Sequence, residues 1–239
     1  MITIAHLSDL HFGDACPVAL YDAQQALLDE APDCIVVTGD ITQAGRRSEF
    51  KQAAEWFAGL RAPVVVCPGN HDAPVYSVVS RIVEPYGRFR KLNFPTSWAC
   101  VEGRATVVAW NSARAIQARL DWSQGVHEPL DVDLALTLAH ELAPRGWRIL
   151  ACHHPPGAPS GAPIGVRTKN AAMTRAKLEA SVKTVLLCGH VHHFSKEAVG
   201  SSFIVTAPTL ASSREREGGR GFVLLRLDHE VMEAELRAI

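Results

Sequence analysis

Two kinds of hydrophobic pattern alternate along the front of the chain. Residues 2–7 read as a short strand that stops at Ser8-Asp9, and residues 18–30 repeat apolar positions at a helical period. Cys34-Ile35-Val36-Val37-Thr38 is a short apolar, β-branched run, the mark of a buried strand. Residues 47–60 return to helical period, and residues 63–67 form a third apolar run. Strand, helix, strand, helix, strand with short connections predicts a parallel sheet. Further strands are predicted at 105–110, 147–152, 184–188, 202–206 and 222–227, the last pairing with 231–236 across a turn at Asp228-His229-Glu230. Helices are predicted near 75–84, 131–143 and 170–181. Residues 157–169, rich in Gly, Ala and Pro, and 214–221, mixing charge with glycine, read as loops. There is no repeat at a fixed period and no low-complexity tract, so one domain over residues 1–239 is expected.

Composition narrows the class. The 239 residues are 47% hydrophobic, which suits a globular protein with a substantial core. The net charge of −1 announces neither a nucleic-acid nor an anionic-membrane partner, although a local basic patch could hide in a neutral total. No run approaches the roughly 18 apolar residues of a membrane span. The N-terminus lacks the basic region and cleavage site of a signal peptide, so it reads as a first strand. Six cysteines, Cys16, Cys34, Cys67, Cys100, Cys152 and Cys188, form no CxxC pair. They read as small hydrophobes kept reduced in a cytoplasmic protein.

Candidate chemistry gathers where the predicted strands end. Asp9 and His11 follow the first strand, Gly39-Asp40 the second and Gly69-Asn70-His71-Asp72 the third. His153 follows the 147–152 strand, and Gly189-His190-Val191-His192 follows the 184–188 strand. Asp9 to Asp40 is 31 residues and Asp40 to Asn70 is 30, each about one βαβ unit. The ends of parallel strands share one edge of the sheet, where ligands bind in open α/β folds. The five segments should therefore converge. Carboxylate, imidazole and amide ligands suit Mn, Fe, Zn or Ni, unlike the Cys-rich sets of structural zinc. Two aspartates carry −2, two divalent ions +4 and a bridging hydroxide −1, leaving a site of about +1 that attracts a phosphate ester and acidifies water. Gly39, Gly69 and Gly189 each precede a ligand, where tight turns favour glycine.

The ordered set Asp-x-His, Gly-Asp, Gly-Asn-His-Asp, His and Gly-His-x-His resembles the calcineurin-like metallophosphoesterase superfamily, from Asp9 to His192. The resemblance implies an α/β fold, a four-layer αββα sandwich of two mixed sheets flanked by helices. It implies two divalent or trivalent metal ions, one held by Asp9, His11, Asp40 and His192 and the other by Asp40, Asn70, His153 and His190, with Asp40 bridging. It implies a metal-bridging hydroxide as nucleophile, His71 as general acid on the leaving oxygen, and Asp72 orienting His71. His6-Leu7-Ser8-Asp9-Leu10-His11, Gly39-Asp40-Ile41-Thr42, Cys152-His153-His154-Pro155-Pro156 and Gly189-His190-Val191-His192 look most like the class III cyclic-nucleotide phosphodiesterases.

Substrate contacts are expected from Asn70 and His71, with His154, His193, Asn111 and Arg114 as further candidates, whereas the basic cluster Arg81, Arg88, Arg90 and Lys91, which could bind an anionic substrate, reads first as a solvated helix face. The 157–169 loop is placed to act as a lid. The rival readings are a UDP-diacylglucosamine-type pyrophosphatase, a phosphomonoesterase, a nuclease and a non-catalytic scaffold of the same fold. His71 stands where the pyrophosphatases usually carry Arg, and residues 75–98 look basic and only modestly apolar for their acyl-binding insertion. A nuclease would want more basic surface. A small phosphate-ester substrate is expected, and the sequence leaves the oligomeric state open.

Overall fold

The structure is a computed structural model describing residues 1–99, 103–117, 121–162, 165–213 and 219–239. Cys100, two residues of the 157–169 loop and most of the 214–221 loop lie outside the described residues.

Strands β1 (Ile2–Leu7), β2 (Cys34–Thr38) and β3 (Val64–Cys67) alternate with helices α1 (Pro17–Glu30) and α2 (Arg47–Phe57). Pro17 occupies the first turn of α1, where its missing N–H costs nothing. At the start of α2 the Glu49 carboxylate turns back to accept from the N–H groups of Arg46 and Ala44. Short α3 (Val78–Val83) and α4 (Gly87–Arg90) follow, then β4 (Ser97–Ala99), β5 (Ala105–Ala109), α5 (Pro129–Leu142), β6 (Trp147–Ala151), α6 (Ala171–Glu179) and β7 (Val182–Cys188). The chain ends with β8 (Ser195–Val199), β9 (Ser201–Thr206), β10 (Gly221–Leu227) and β11 (Met232–Ala238).

The strands form two mixed sheets, ordered β11-β10-β1-β2-β3 and β4-β5-β6-β7-β9-β8. β1, β2 and β3 run parallel, as do β5, β6, β7 and β9. The antiparallel strands lie toward the margins. Because strand side chains alternate between faces, each sheet has an inner and an outer set. Ile4, Val36 and Val65 meet Val107, Ile149 and Val185 between the sheets. On the outer face of the first sheet, Leu7, Ile35 and Val66 pack with Ala23 and Leu27 of α1 and Ala53 and Phe57 of α2. On the outer face of the second, Leu150 and Leu186 pack with Val132 and Ala139 of α5 and Leu178 of α6. The result is the expected four-layer αββα sandwich.

Candidate metal centre

Backbone pairing continues past the strands and aligns the first two ligand loops. Asp9 N–H donates to Gly39 O, His11 N–H to Asp40 O and Phe12 N–H to Ile41 O. These bonds hold the Asp9 and Asp40 segments side by side beyond the ends of β1 and β2. Gly189 N–H donates to His153 O, joining the segments after β6 and β7 in the same way. Asp9, His11, Asp40, His190 and His192 all have positive φ, between 49° and 71°. This region is uncommon for non-glycine residues and is enriched at functional sites.

Asp9, Asp40 and His153 are each aimed by a partner behind them. Ser8 Oγ donates to Asp9 Oδ2 at 2.6 Å and His190 N–H donates to the same oxygen at 3.0 Å. Asp9 Oδ1 then faces His192 Nε2 at 3.2 Å and His11 Nε2 at 3.7 Å. His71 N–H fixes Asp40 Oδ1 at 2.8 Å, while Asp40 Oδ2 lies 3.3 Å from His153 Nε2 and 4.0 Å from His11 Nε2. His153 Nδ1 donates to the Thr38 carbonyl at 2.7 Å, which fixes the tautomer and leaves Nε2 as the inward nitrogen.

These side chains fit a metal centre. Asp9 Oδ1, Asn70 Oδ1 and His153 Nε2 are buried and have no hydrogen-bond partner. A buried polar atom left unpaired is costly, and three that can each donate a lone pair to a cation are explained by bound metal. Atoms bound about 2.1 Å from a metal lie about 3–3.5 Å from one another, close to the 3.2 Å and 3.3 Å found here. The residues that could hold ions fall into overlapping groups: Asp9, His11 and His192; Asp9, Asp40 and His153; and His153, His154 and His190.

Electrostatics agree. Burial opposes ionisation of Asp9, but His192, His11 and His153 outweigh it and hold the carboxyl well below its usual range. Burial likewise opposes ionisation of Asp40, and His153 and His71 overcome it. Burial pulls the His153 pKa down, yet Asp40 and then Asp9 carry it up to about 10. Imidazolium charges thus neutralise the carboxylates, and a metal ion binding there displaces those protons. His190 is lowered to about 4, by burial and then by the neighbouring His153, so it is neutral and able to ligate.

Several expected substrate-side residues are placed differently. Asp72 does not orient the His71 ring. Its carboxylate accepts from the N–H groups of Gly69, Ile41 and Thr42 and from the Thr42 hydroxyl, tying the β2 and β3 loops together. The His71 ring instead donates from Nδ1 to the Gln43 carbonyl at 2.7 Å. His154 is fully buried, with Nε2 donating to the Ser123 carbonyl and Nδ1 bonded to Ser112 Oγ, so neither nitrogen is open to substrate. Asn111 Oδ1 caps Ala113 N–H. Arg114 reaches the Asn111 and Ala113 carbonyls and faces Glu128 and Asp131. His193 lies beside Gly161 in the loop that follows His154. Of the basic cluster, Arg81 binds the Ala115 and Pro74 carbonyls, Arg88 the Gly45 carbonyl and Arg90 the Glu84 carboxylate.

A pocket of about 290 Å³ opens beside His190, lined by Asp121, Ser123, Gln124, Gly165 and Arg167 among others. Arg167 was not singled out from sequence beyond its place in the 157–169 loop. Ser8, Thr38 and Gln43 also escaped notice. Thr38 and Gln43 act here through main-chain carbonyls, which carry no side-chain signature.

Residues 2–194 match the family model described as calcineurin-like phosphoesterase. Glycerophosphodiester phosphodiesterase GpdQ of Enterobacter lignolyticus is 36% identical over 84 residues, covering 29% of this chain and 29% of that protein. A probable cyclic nucleotide phosphodiesterase of Synechococcus sp. is 23% identical over 233 residues, covering 88% of this chain and 81% of that one. A dimetal phosphatase from Danio rerio superposes with a TM-score of 0.69 at 14% identity, covering 99% of this chain and 96% of that one, a likeness of fold alone. The family match spans every ligand candidate from Asp9 to His192, and the chain belongs to the calcineurin-like phosphoesterase family of phosphoric ester hydrolases.

Proposed function

We propose that the protein is a dinuclear-metal phosphodiesterase. One observation carries the reading: the unpaired buried atoms Asp9 Oδ1, Asn70 Oδ1 and His153 Nε2, in a chain of this family. Asp9, His11, Asp40 and His192 would hold one ion, and Asp40, Asn70, His153 and His190 the second. When bound, the ions supply charge for the phosphoryl oxygens and acidify water. Asp40 would serve both ions, since its Oδ2 lies between His11 and His153. His71 keeps Nδ1 on the Gln43 carbonyl and so presents Nε2, where a proton can pass to the leaving oxygen. The pocket beside His190 would receive the leaving alcohol beside the Arg167 guanidinium, with the Ser123 hydroxyl and the Gln124 amide held on the Asp121 carboxylate in its wall.

The names of the two relatives, both phosphodiesterases, support a diester over a monoester. Within that class 3′,5′-cyclic nucleotides are the first candidate, supported by the Synechococcus relative. The test is hydrolysis of bis-p-nitrophenyl phosphate, p-nitrophenyl phosphate and cyclic AMP after metal stripping and addition of Mn. Metal-dependent cleavage of the diester and of cyclic AMP is expected. Cleavage of the monoester alone would move the reading to a phosphomonoesterase. No turnover with any metal would revive the scaffold.

A further inference from the structure

The segment after the Asn-His-Asp block presents its apolar side chains to the outside. Positions 75, 78, 79, 82 and 83 follow the i, i+3, i+4, i+7, i+8 spacing of a helix face meant to be covered. Yet Val78 is 67%, Val79 73%, Ile82 60% and Val83 77% exposed, and α3 contains no buried residue at all. Tyr76 beside it is 74% exposed, and exposed Trp122 joins the patch through the Arg81 guanidinium, 5.1 Å from its ring centre. A contiguous apolar surface of this kind marks an interaction site.

Charge and aromatic content select the partner. Residues 75–98 carry Arg81, Arg88, Arg90 and Lys91 against Glu84, in a chain whose net charge is −1. The exposed Arg46 lies 4.6 Å over the Tyr76 ring. A second copy packed about a twofold axis would set this basic rim against itself, at a cost in like-charge repulsion. Exposed valines and isoleucine, a tyrosine and a tryptophan ringed by cations are the set that settles at the boundary between acyl chains and phosphate headgroups. A convex helix with no buried face suits a fluid medium that closes around it.

We propose that α3 and its surroundings dock the protein reversibly on an anionic phospholipid surface. The patch is tied to the candidate site through the chain on both sides. Val75 lies three residues after Asp72 in the chain. Trp122 stands between Asp121 and Ser123, which line the pocket beside His190. Docking would turn the mouth of that pocket toward the lipid. The inference does not depend on the phosphodiesterase reading, and its test reads binding alone.

The experiment is co-sedimentation with vesicles of phosphatidylglycerol and phosphatidylcholine in equal parts at low salt. The full chain is expected to sediment with them. Val79→Glu/Ile82→Glu is expected to lower its partition at least about tenfold with the melting temperature kept. Arg90→Glu/Lys91→Glu is expected to lower it about tenfold, an effect that salt mimics. Failure of the unaltered chain to sediment, or equal sedimentation of the Val79/Ile82 variant, would overturn the proposal. So would a dimer in solution that the same variant splits, since a second copy would then cover the patch.

Discussion

The His71 ring donates from Nδ1 to the main-chain carbonyl of Gln43 at 2.7 Å. The bond leaves Nε2 as the only ring nitrogen available to a leaving group. The ring also stands edge-on to His11, with centroids 5.0 Å apart, so it borders the ligand cluster. Replacing His71 by Ala should keep the metals and cut kcat by about 10²–10⁴ on diesters with alkyl leaving groups, with far less loss on p-nitrophenyl esters. Metal content by plasma emission and the leaving-group dependence of kcat check this together. Loss of metal in the variant would show that His71 acts as a ligand.

Gly69 leaves room for Asp40. A Cβ on Gly69 would lie 2.1 Å from Asp40 Oδ1 and 2.4 Å from the Asp40 backbone nitrogen. Gly69→Ala should displace this carboxylate, which lies between His11 and His153. Metal affinity should fall about 10–100-fold, as when other supports of metal ligands are removed. Titration of the stripped variant with Mn, followed by calorimetry, reads the change. Unaltered affinity would mean that Asp40 does not ligate.

Strands β1 to β3, β5 to β7, β9 and β10 were legible because apolar, often β-branched runs are what buried strands require, and the half-exposed β11 was legible from the turn at Asp228-His229-Glu230 before it. The ligand blocks were legible because each lies at a strand end. β8 was not, since Ser195-Lys196-Glu197-Ala198-Val199 is a polar strand at the margin of its sheet. The 75–84 helix was expected from its apolar spacing, but that spacing says nothing about whether a covering layer exists. The orienting role expected of Asp72 came from the resemblance alone, which carries no information on where its carboxylate points. In the structure three backbone N–H groups and a hydroxyl claim its carboxylate, and no sequence motif records them.

Among the described cysteines Cys16 should react first with a thiol reagent. It precedes α1 and is partly exposed. The N–H groups at the start of that helix, Ala19 first and then Val18, lower its thiol pKa. Burial pushes Cys34 up to about 12 and raises Cys67 and Cys152 well above their usual value. Comparing Ellman titrations of the native chain and Cys16→Ser should show one fast thiol lost. An unchanged fast phase would place the reactive thiol elsewhere.

His6 should make the fold sensitive to acid. Burial lowers its pKa from 6.5 to about 3, and the charge of Asp9 restores only part of this. Between those values the unfolded chain binds a proton that the folded chain refuses. The contribution of His6 is therefore full above about pH 6.5 and is lost as the pH falls toward 3, with a slope of up to about 1.4 kcal/mol per pH unit. Urea unfolding of the metal-stripped chain between pH 7 and pH 4.5 should show a shallower pH dependence in His6→Gln. An identical slope would mean that His6 is already charged in the folded protein.

The left-handed backbone at Asp9, His11, Asp40, His190 and His192 sets a limit on engineering. Each of these residues costs about 1 kcal/mol or more in that conformation. Glycine would relieve the backbone at every one of the five, so a search for stabilising substitutions that ignored activity would reach these candidate ligands together with Ala31, Asn93, Asn170 and Lys183, which share the conformation. A thermostable descendant selected only for folding is therefore expected to lose candidate ligands among its gains, which a comparison of its metal content with the parent's would read.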